Sequence, residues 1–521
     1  MISLLLSLII FLFSSLNILR LIQIKEYFFP SIWAHFDYPS SYFIFIKRRE
    51  ILIWLLWALF LTLSFLGINI QIENPLWLLI LILILALLFK LKKQQLSSLN
   101  WTTKFIFISF LVILINWRVL DVTNNSLFMI FILLTSSSQF LICIISTYLA
   151  NLITSIYAKN LYKQAKNKIE EWKKENPNRR VIGITGSYGK TSTKEILAQI
   201  LSSKFKVLKS PMRLNAEIGL SQFILNTDLN DYEILIIEMG ARRRGEISTM
   251  IQIFNPDISF LTGIGPQHVA TFGSLENIIL GKSEIFKSTI PKGIAFINGS
   301  DEYSKWIYEK LPVPRKYLYS TEEGHFYSIN EIFSLESTEF DFVYPGGIVN
   351  LRTNLVGKQF LENLIGALAC AYILGISPED VKDVINNLSL LPHQFQVIKK
   401  SNPVIIDDSY NSNLIGVIKG AEFFISLPIP YKVIFFAGIL ELGTETPKYY
   451  SHLIDILKNF DKVILTFKDY TEVFEEHLYN KVIIYQKQKL EELIKEFPKE
   501  ELGILILGRI PKTLLEEVLK L

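Results

Sequence analysis

The chain has 521 residues, with 53 Lys and Arg against 49 Asp and Glu and a formal net charge of +4. That length points to several domains, and so small a net charge supplies no overall basic field for nucleic acid. The hydrophobic fraction is 50% and the mean hydropathy +0.33, yet the two cysteines, Cys143 and Cys370, lack metal-ligand spacing, which excludes a disulfide framework and a zinc site.

The apolar excess lies in front. Long apolar runs fall near 3–22, 51–70, 75–89, 105–115 and 126–153. A helix needs about 20 apolar residues to cross a bilayer, and the first, second and fifth runs have that length. The first run has neither a basic start nor a small-residue cleavage site, which argues against a signal peptide. Lys25, Lys47, Arg48 and Arg49 follow the first run, and Lys90, Lys92, Lys93 and Lys104 flank the third. The second loop has no basic residue, the fourth carries Arg118, and Lys159, Lys163, Lys166 and Lys168 follow the last run. Read by the positive-inside rule, this pattern predicts about five spans in the cell membrane, a non-cytoplasmic N-terminus and cytoplasmic catalytic domains from residue 160 on. The charged segment up to Pro177 then reads as a solvated helix or linker.

At 181–201, "VIGITGSYGKTSTKEILAQIL" reads as a strand, a glycine-rich loop and a helix. Gly186, Ser187 and Gly189 let backbone N–H groups turn toward an anion at a helix N-terminus. Lys190 would reach the β- and γ-phosphates of a nucleotide, and the hydroxyl of Thr191, followed by Ser192, would hold Mg²⁺. Ile184 stands where the usual phosphate-loop pattern has its first glycine. "YEILIIEMG" is a buried-type strand ending in Glu238, where a carboxylate can share that Mg²⁺. A further strand leads to His268, and Lys282 follows on a helix.

From about residue 390 strands recur as "PVIIDD", "YKVIFFAG", "DKVILTF", "KVIIY" and "LGILILG", separated by helical stretches. The alternation predicts a Rossmann-like α/β domain. "DDSYNSN" places Asp407, Asp408, Asn411 and Asn413 at the carboxyl edge of its sheet.

"TGSYGKTSTKE", "RLNAEIG", "EMGARRRGEI", "TGIGPQHVATFGSLENIILGKSEIF", "NLIGALACAYILGISPEDV", "DDSYNSN" and "ILELG" run in the order of the Mur ligases, and the sequence resembles that family over about 179–521. The branch it looks most like adds a D-alanyl-D-alanine dipeptide. The resemblance implies an ATP-dependent amide ligase that activates a carboxylate as an acyl phosphate and joins it to an amino acid or dipeptide in cell-wall precursor synthesis. It also implies that Lys190 and Thr191 bind phosphate and a first Mg²⁺ shared with Glu238, while His268 ligates a second. Lys282 matches a lysine carbamylated in the family, Asn215 a phosphate-side asparagine and Asn363 one near the adenine. Asp407, Asn411 and Asn413 would hold the incoming amine.

The expected architecture is an α-helical membrane region (1–155), a charged linker (156–178), a central P-loop ATP-binding domain (179–390) and a Rossmann-like C-terminal domain (391–521). The expected partners are ATP, a cell-wall peptide precursor, lipid-linked or free, and membrane lipid, with no nucleic acid. A Mur-type ligase of a lipid-linked or polymeric substrate, a nucleotide-binding scaffold and a transporter are the other readings. The chain departs from the family at Gln359 and Phe360, where His and Asn are usual, and at Gln394, where the hinge has arginine. Near the end "LGRI" stands in place of "KGSR", keeping Gly508 and Arg509.

Overall fold

A computed structural model describes residues 128–289, 292–399, 403–410, 413–439, 442, 446–467, 471–486 and 488–521, without the side chains of 128–144, 150–153 and 399. Ala158–Leu521 form one compact unit of the chain, and it holds the α/β domains.

Helix α1, Phe128–Glu175, is 48 residues long. From Ala158 on it joins that unit, burying Ala165, Ile169 and Trp172. The Trp172 indole N–H donates to the Leu229 carbonyl at 2.8 Å.

The expected membrane region requires correction. Four of its five runs lie outside the described residues. The fifth falls on α1, and among the described residues no helix is long and apolar enough to cross a membrane. The helix does not stop where a span was expected to end. It continues through Lys159, Lys163, Lys166 and Lys168 as a half-solvated helix packed on the domain by one stripe. The membrane placement and the membrane-lipid partner expected from the apolar runs are withdrawn on this finding.

The first α/β layer contains β1 (Arg180–Thr185), α2 (Lys190–Leu201), β2 (Val207–Lys209), α3 (Glu217–Asn226), β3 (Ile234–Glu238), α4 (Glu246–Phe254), β4 (Ile258–Leu261), α5 (Val269–Phe272), α6 (Leu275–Ser283), β5 (Ile294–Asn298), α7 (Glu302–Lys310) and β6 (Arg315–Tyr319). Its strands lie in the order β2-β3-β1-β4-β5-β6, all parallel. Runs such as "ILIIE" in β3 are buried at every position, as strands covered on both faces must be. The chain turns back across β1 to reach β4, so the carboxyl end of β1 lies at the switch point where such sheets hold ligands.

A small antiparallel sheet follows, β7 (Tyr327–Phe333), β8 (Thr338–Tyr344) and β9 (Gly347–Thr353), and its alternating burial was not anticipated from the sequence. Helix α8 (Lys358–Ile373) then packs alongside α2, buried nearly throughout. After α9 (Lys382–Asn386) comes the second sheet. It holds β10 (Gln396–Lys399), β11 (Val404–Asp408), β12 (Tyr431–Phe436), β13 (Lys462–Leu465), β14 (Val482–Ile484) and β15 (Leu502–Leu507), in the order β10-β11-β15-β12-β13-β14. Five of these strands are parallel, and β10 is an antiparallel edge. Helices α10 (Leu414–Ser426), α11 (Thr446–Leu457), α12 (Thr471–Leu478), α13 (Leu490–Ile494) and α14 (Lys512–Leu519) connect them. The α/β readings of both parts thus hold, and one apolar cluster runs from Ile184 and Leu364 through Phe395 to Leu414 and Leu507.

Trp172→Ala should lower the unfolding free energy by about 3–5 kcal/mol, the usual cost of emptying a large buried aromatic site. In urea titrations the midpoint is expected to fall with the slope unchanged. An unaltered midpoint would mean that α1 contributes nothing to this core.

Candidate active site

Strand β1 delivers Thr185 to the sheet edge, and the loop 186–189 turns there into α2. Gly186 (φ 152°) and Gly189 (φ 76°) adopt backbone angles that side chains avoid. A Cβ on Gly189 would lie 2.6 Å from the Asn363 Oδ1, so only glycine lets α8 approach the loop so closely. Asn363 also accepts from the Thr193 hydroxyl at 3.1 Å, which fixes it against the phosphate loop. The Ser187 hydroxyl is buried without a hydrogen-bond partner, as expected of a group reserved for an incoming anion. Ser192 is buried on the first turn of α2.

Glu238 is the centre of the site. Only 3% exposed, it ends β3 one strand away from the loop. Its Oε2 accepts from the Thr191 hydroxyl at 3.1 Å and from Lys194 Nζ at 3.0 Å, and its Oε1 accepts from Asn215 Nδ2 at 3.2 Å. A hydroxyl and a carboxylate side by side at a helix N-terminus are the hard oxygen donors that Mg²⁺ takes, the rest of its shell being water and substrate phosphate. That composition is why, among the described residues, no group of three or more His, Cys, Asp and Glu forms a metal cage.

Lys194 was missed in the sequence. It is fully buried, and its spacing was the available signal: three residues after Thr191 and four after Lys190, it shares their helix face. Lys190 donates to the Gly186 carbonyl at 2.6 Å, and burial holds its ammonium below the usual lysine range, with Glu238 opposing.

Lys282, 1% exposed on α6, is a second buried cation of the site. It donates to the Ala241 carbonyl at 3.3 Å and lies 5.7 Å from the Phe272 ring centroid. Burial first, then repulsion by Lys190, push its basicity well below that of an ordinary lysine. His268 sits half-buried in a left-handed turn (φ 57°) at the start of α5.

The C-terminal domain closes this region from the other side. Lys419 on α10 pairs with Glu362 on α8 at 2.6 Å, and its ammonium lies 5.6 Å from the Tyr188 ring of the phosphate loop. Tyr188 in turn donates to Asp301 at 3.2 Å. Arg213 lies 5.5 Å from the Tyr410 ring, linking the Asn215 loop to the segment after β11.

Of the residues expected at the amine, Asn413 accepts from the Gly416 N–H at 2.8 Å as the cap of α10, and Asn411 lies outside the described residues. Asp407 is wholly buried. The departures are packed rather than open. Phe360 lies 6.1 Å from the Phe395 ring, and the Gln359 Oε1 and both amide atoms of Gln394 are buried without partners.

Residues 184–371 match the Mur ligase middle domain. The chain is 31% identical over 312 residues to the UDP-N-acetylmuramoyl-tripeptide–D-alanyl-D-alanine ligase of Borreliella burgdorferi, covering 58% of this chain and 66% of that one. It is 28% identical over 280 residues to the Escherichia coli protein of the same name, covering 53% and 61%. The chain thus spans slightly less than two thirds of either relative. The MurF ligase of Thermotoga maritima in complex with ADP superposes with a TM-score of 0.62 at 26% identity, over 70% of this chain and 83% of that one. MurF from Acinetobacter baumannii shares the fold with a TM-score of 0.64 over 70% and 81%. The phosphate loop and the carboxylate at the end of β3 lie within 184–371, so over that stretch the chain resembles the Mur ligases as a class. Within that class the chain is MurF-like.

Lys194→Met leaves Glu238 buried beside one lost cation and should destabilise the fold by about 3–5 kcal/mol. Adding Glu238→Gln should recover part of that loss in a double-mutant cycle. Strictly additive effects would show that the two side chains do not interact.

Proposed function

We propose that this chain is an ATP-dependent amide ligase. It activates a carboxylate of a cell-wall peptide precursor as an acyl phosphate and joins it to the amine of an amino acid or dipeptide. The relatives' own name, which pairs a UDP-muramoyl-tripeptide with D-alanyl-D-alanine, supports that substrate class. The observation that carries the reading is the convergence of Thr191, Lys194 and Asn215 on Glu238 at the mouth of the phosphate loop.

The chemistry must bring a carboxylate against an anionic γ-phosphate, so positive charge has to gather before the two can meet. Lys190 stands at the start of α2 to lie against the phosphates, and the loop N–H groups with the Ser187 hydroxyl hold the rest of the chain of phosphates. Thr191 and Glu238 are the side chains that would hold Mg²⁺, with His268 and Lys282 toward a second ion. A bound Mg²⁺ would supply charge neutralisation of the transferring phosphoryl group.

Lys282 enters this reading as its carbamate. A lysine 1% exposed whose ammonium donates to the Ala241 carbonyl is poorly placed as a cation. Its free amine adds to CO₂, one N–C bond forming and one proton leaving, and the product is an anionic oxygen ligand suited to Mg²⁺.

Lys190→Ala and Glu238→Ala should each reduce amine-dependent ATP turnover to background, and for Lys190→Ala the circular dichroism spectrum should stay that of the parent. Turnover that persists in either variant would remove this loop from the reaction. Lys282→Ala should lose activity and regain part of it in acetate, whereas His268→Ala should not, because acetate cannot take the place of an imidazole. Full activity of Lys282→Ala in buffer free of bicarbonate and short carboxylates would exclude the carbamate.

A further inference from the structure

The residues expected to meet the incoming amine include Asp407, but its carboxylate cannot reach a ligand. Asp407 is 0% exposed, and both of its oxygens are engaged: Oδ1 accepts from the Ser409 N–H at 2.9 Å, and Oδ2 lies 2.6 Å from Nδ1 of His393. The imidazole it holds is 46% exposed. What is accessible at this position is therefore a ring backed by a buried carboxylate.

The backbone is arranged around that contact. His393 adopts a left-handed conformation (φ 67°) in the segment joining the two α/β domains. Its carbonyl accepts from the Tyr410 N–H at 3.0 Å, and its own N–H donates to Gln396 Oε1 at 3.3 Å. Gln396 lies opposite Asp407 in the antiparallel β10–β11 pair, and Asp408 accepts from the Phe395 N–H at 3.1 Å. The charged groups around the ring are thus Asp407 and Asp408 on β11, with Arg213 beyond the Tyr410 ring. Arg213 is two residues from Asn215, which donates to Glu238, so His393 is linked through Tyr410 and Arg213 to the loop that serves Glu238. On the same side, a Cβ on Gly265 would meet Ile415 at 3.0 Å.

We propose that His393, oriented by Asp407, is the general base that takes a proton from the incoming ammonium. This rests on the ligase reading given above. An ammonium has no free lone pair, so it must lose a proton before attack. One proton passes to Nε2 of His393, and the freed lone pair forms the C–N bond to the acyl carbon. The C–O bond to phosphate breaks with its electrons on the leaving oxygen, and the second amine proton departs with phosphate. The buried Asp407 carboxylate fixes Nδ1–H and balances the imidazolium until it returns its proton to water. Asp407 is then a positioning residue and His393 a catalytic one.

The test compares two nucleophiles with UDP-N-acetylmuramoyl-tripeptide and ATP. D-alanyl-D-alanine enters as an ammonium, whereas hydroxylamine is largely neutral at pH 7 and traps the same acyl phosphate as a hydroxamate. In His393→Gln the ratio of amide to hydroxamate product should fall on the order of 100-fold, the scale of a lost general base. Raising the pH, which supplies free amine unaided, should narrow that gap. Asp407→Asn should show the same direction of change. An unchanged ratio, or equal loss of both products, overturns the assignment. A parent protein that makes no hydroxamate overturns the ligase reading itself, and this inference with it.

Discussion

A carboxylate taken out of water must find donors on every side, and Glu238 finds them on two separate elements. The hydroxyl of Thr191 and the ammonium of Lys194 come from α2, and the amide of Asn215 comes from the loop before α3. Its own N–H is held by the Ser210 hydroxyl at 3.1 Å. Satisfying one buried anion therefore fixes the helix that follows the phosphate loop, the end of β3 and the loop that leads toward the second domain. Each of these positions would drift if the carboxylate were solvated, because water would then satisfy it from any direction.

Positive charge is the complementary constraint. Lys190, Lys194 and Lys282 all converge on this region, and two of them are almost completely excluded from solvent. Only Lys194 is neutralised by a direct ion pair with Glu238. Burial weakens the basicity of the other two, and at Lys282 repulsion by Lys190 adds to it.

The two α/β domains meet through polar contacts laid over a shared apolar seam. Phe395 packs against Phe360 and Phe423, carrying the core from α8 into the second sheet. Above that seam Lys419 reaches Glu362, which also accepts from Asn298 at 3.4 Å. The loop 186–189 is thereby in contact with α10 through Tyr188. At the start of α8, Phe360 adds to this seam while the Gln359 Oε1 is buried without a partner.

The sequence alone determined the loop, the helix after it, the carboxylate-ended strand and the strand–helix alternation of both sheets. These are local signals: glycines where φ must be positive, and apolar runs where a parallel strand is covered on both faces. It also determined which residue types could hold phosphate and Mg²⁺. Tertiary structure decided the rest. Apolar length suggested membrane spans, but among the described residues no helix is long and apolar enough to cross a membrane, and α1 continues into a packed helix. The role of Lys194 became visible only when β3 was placed beside β1, since its partner is 44 positions away along the chain. Asp407 read as an amine ligand at the sheet's carboxyl edge, because "DDSYNSN" says nothing about what covers it. The fold buried that carboxylate and set His393 against it, joining an interdomain segment to a strand end that no spacing rule connects.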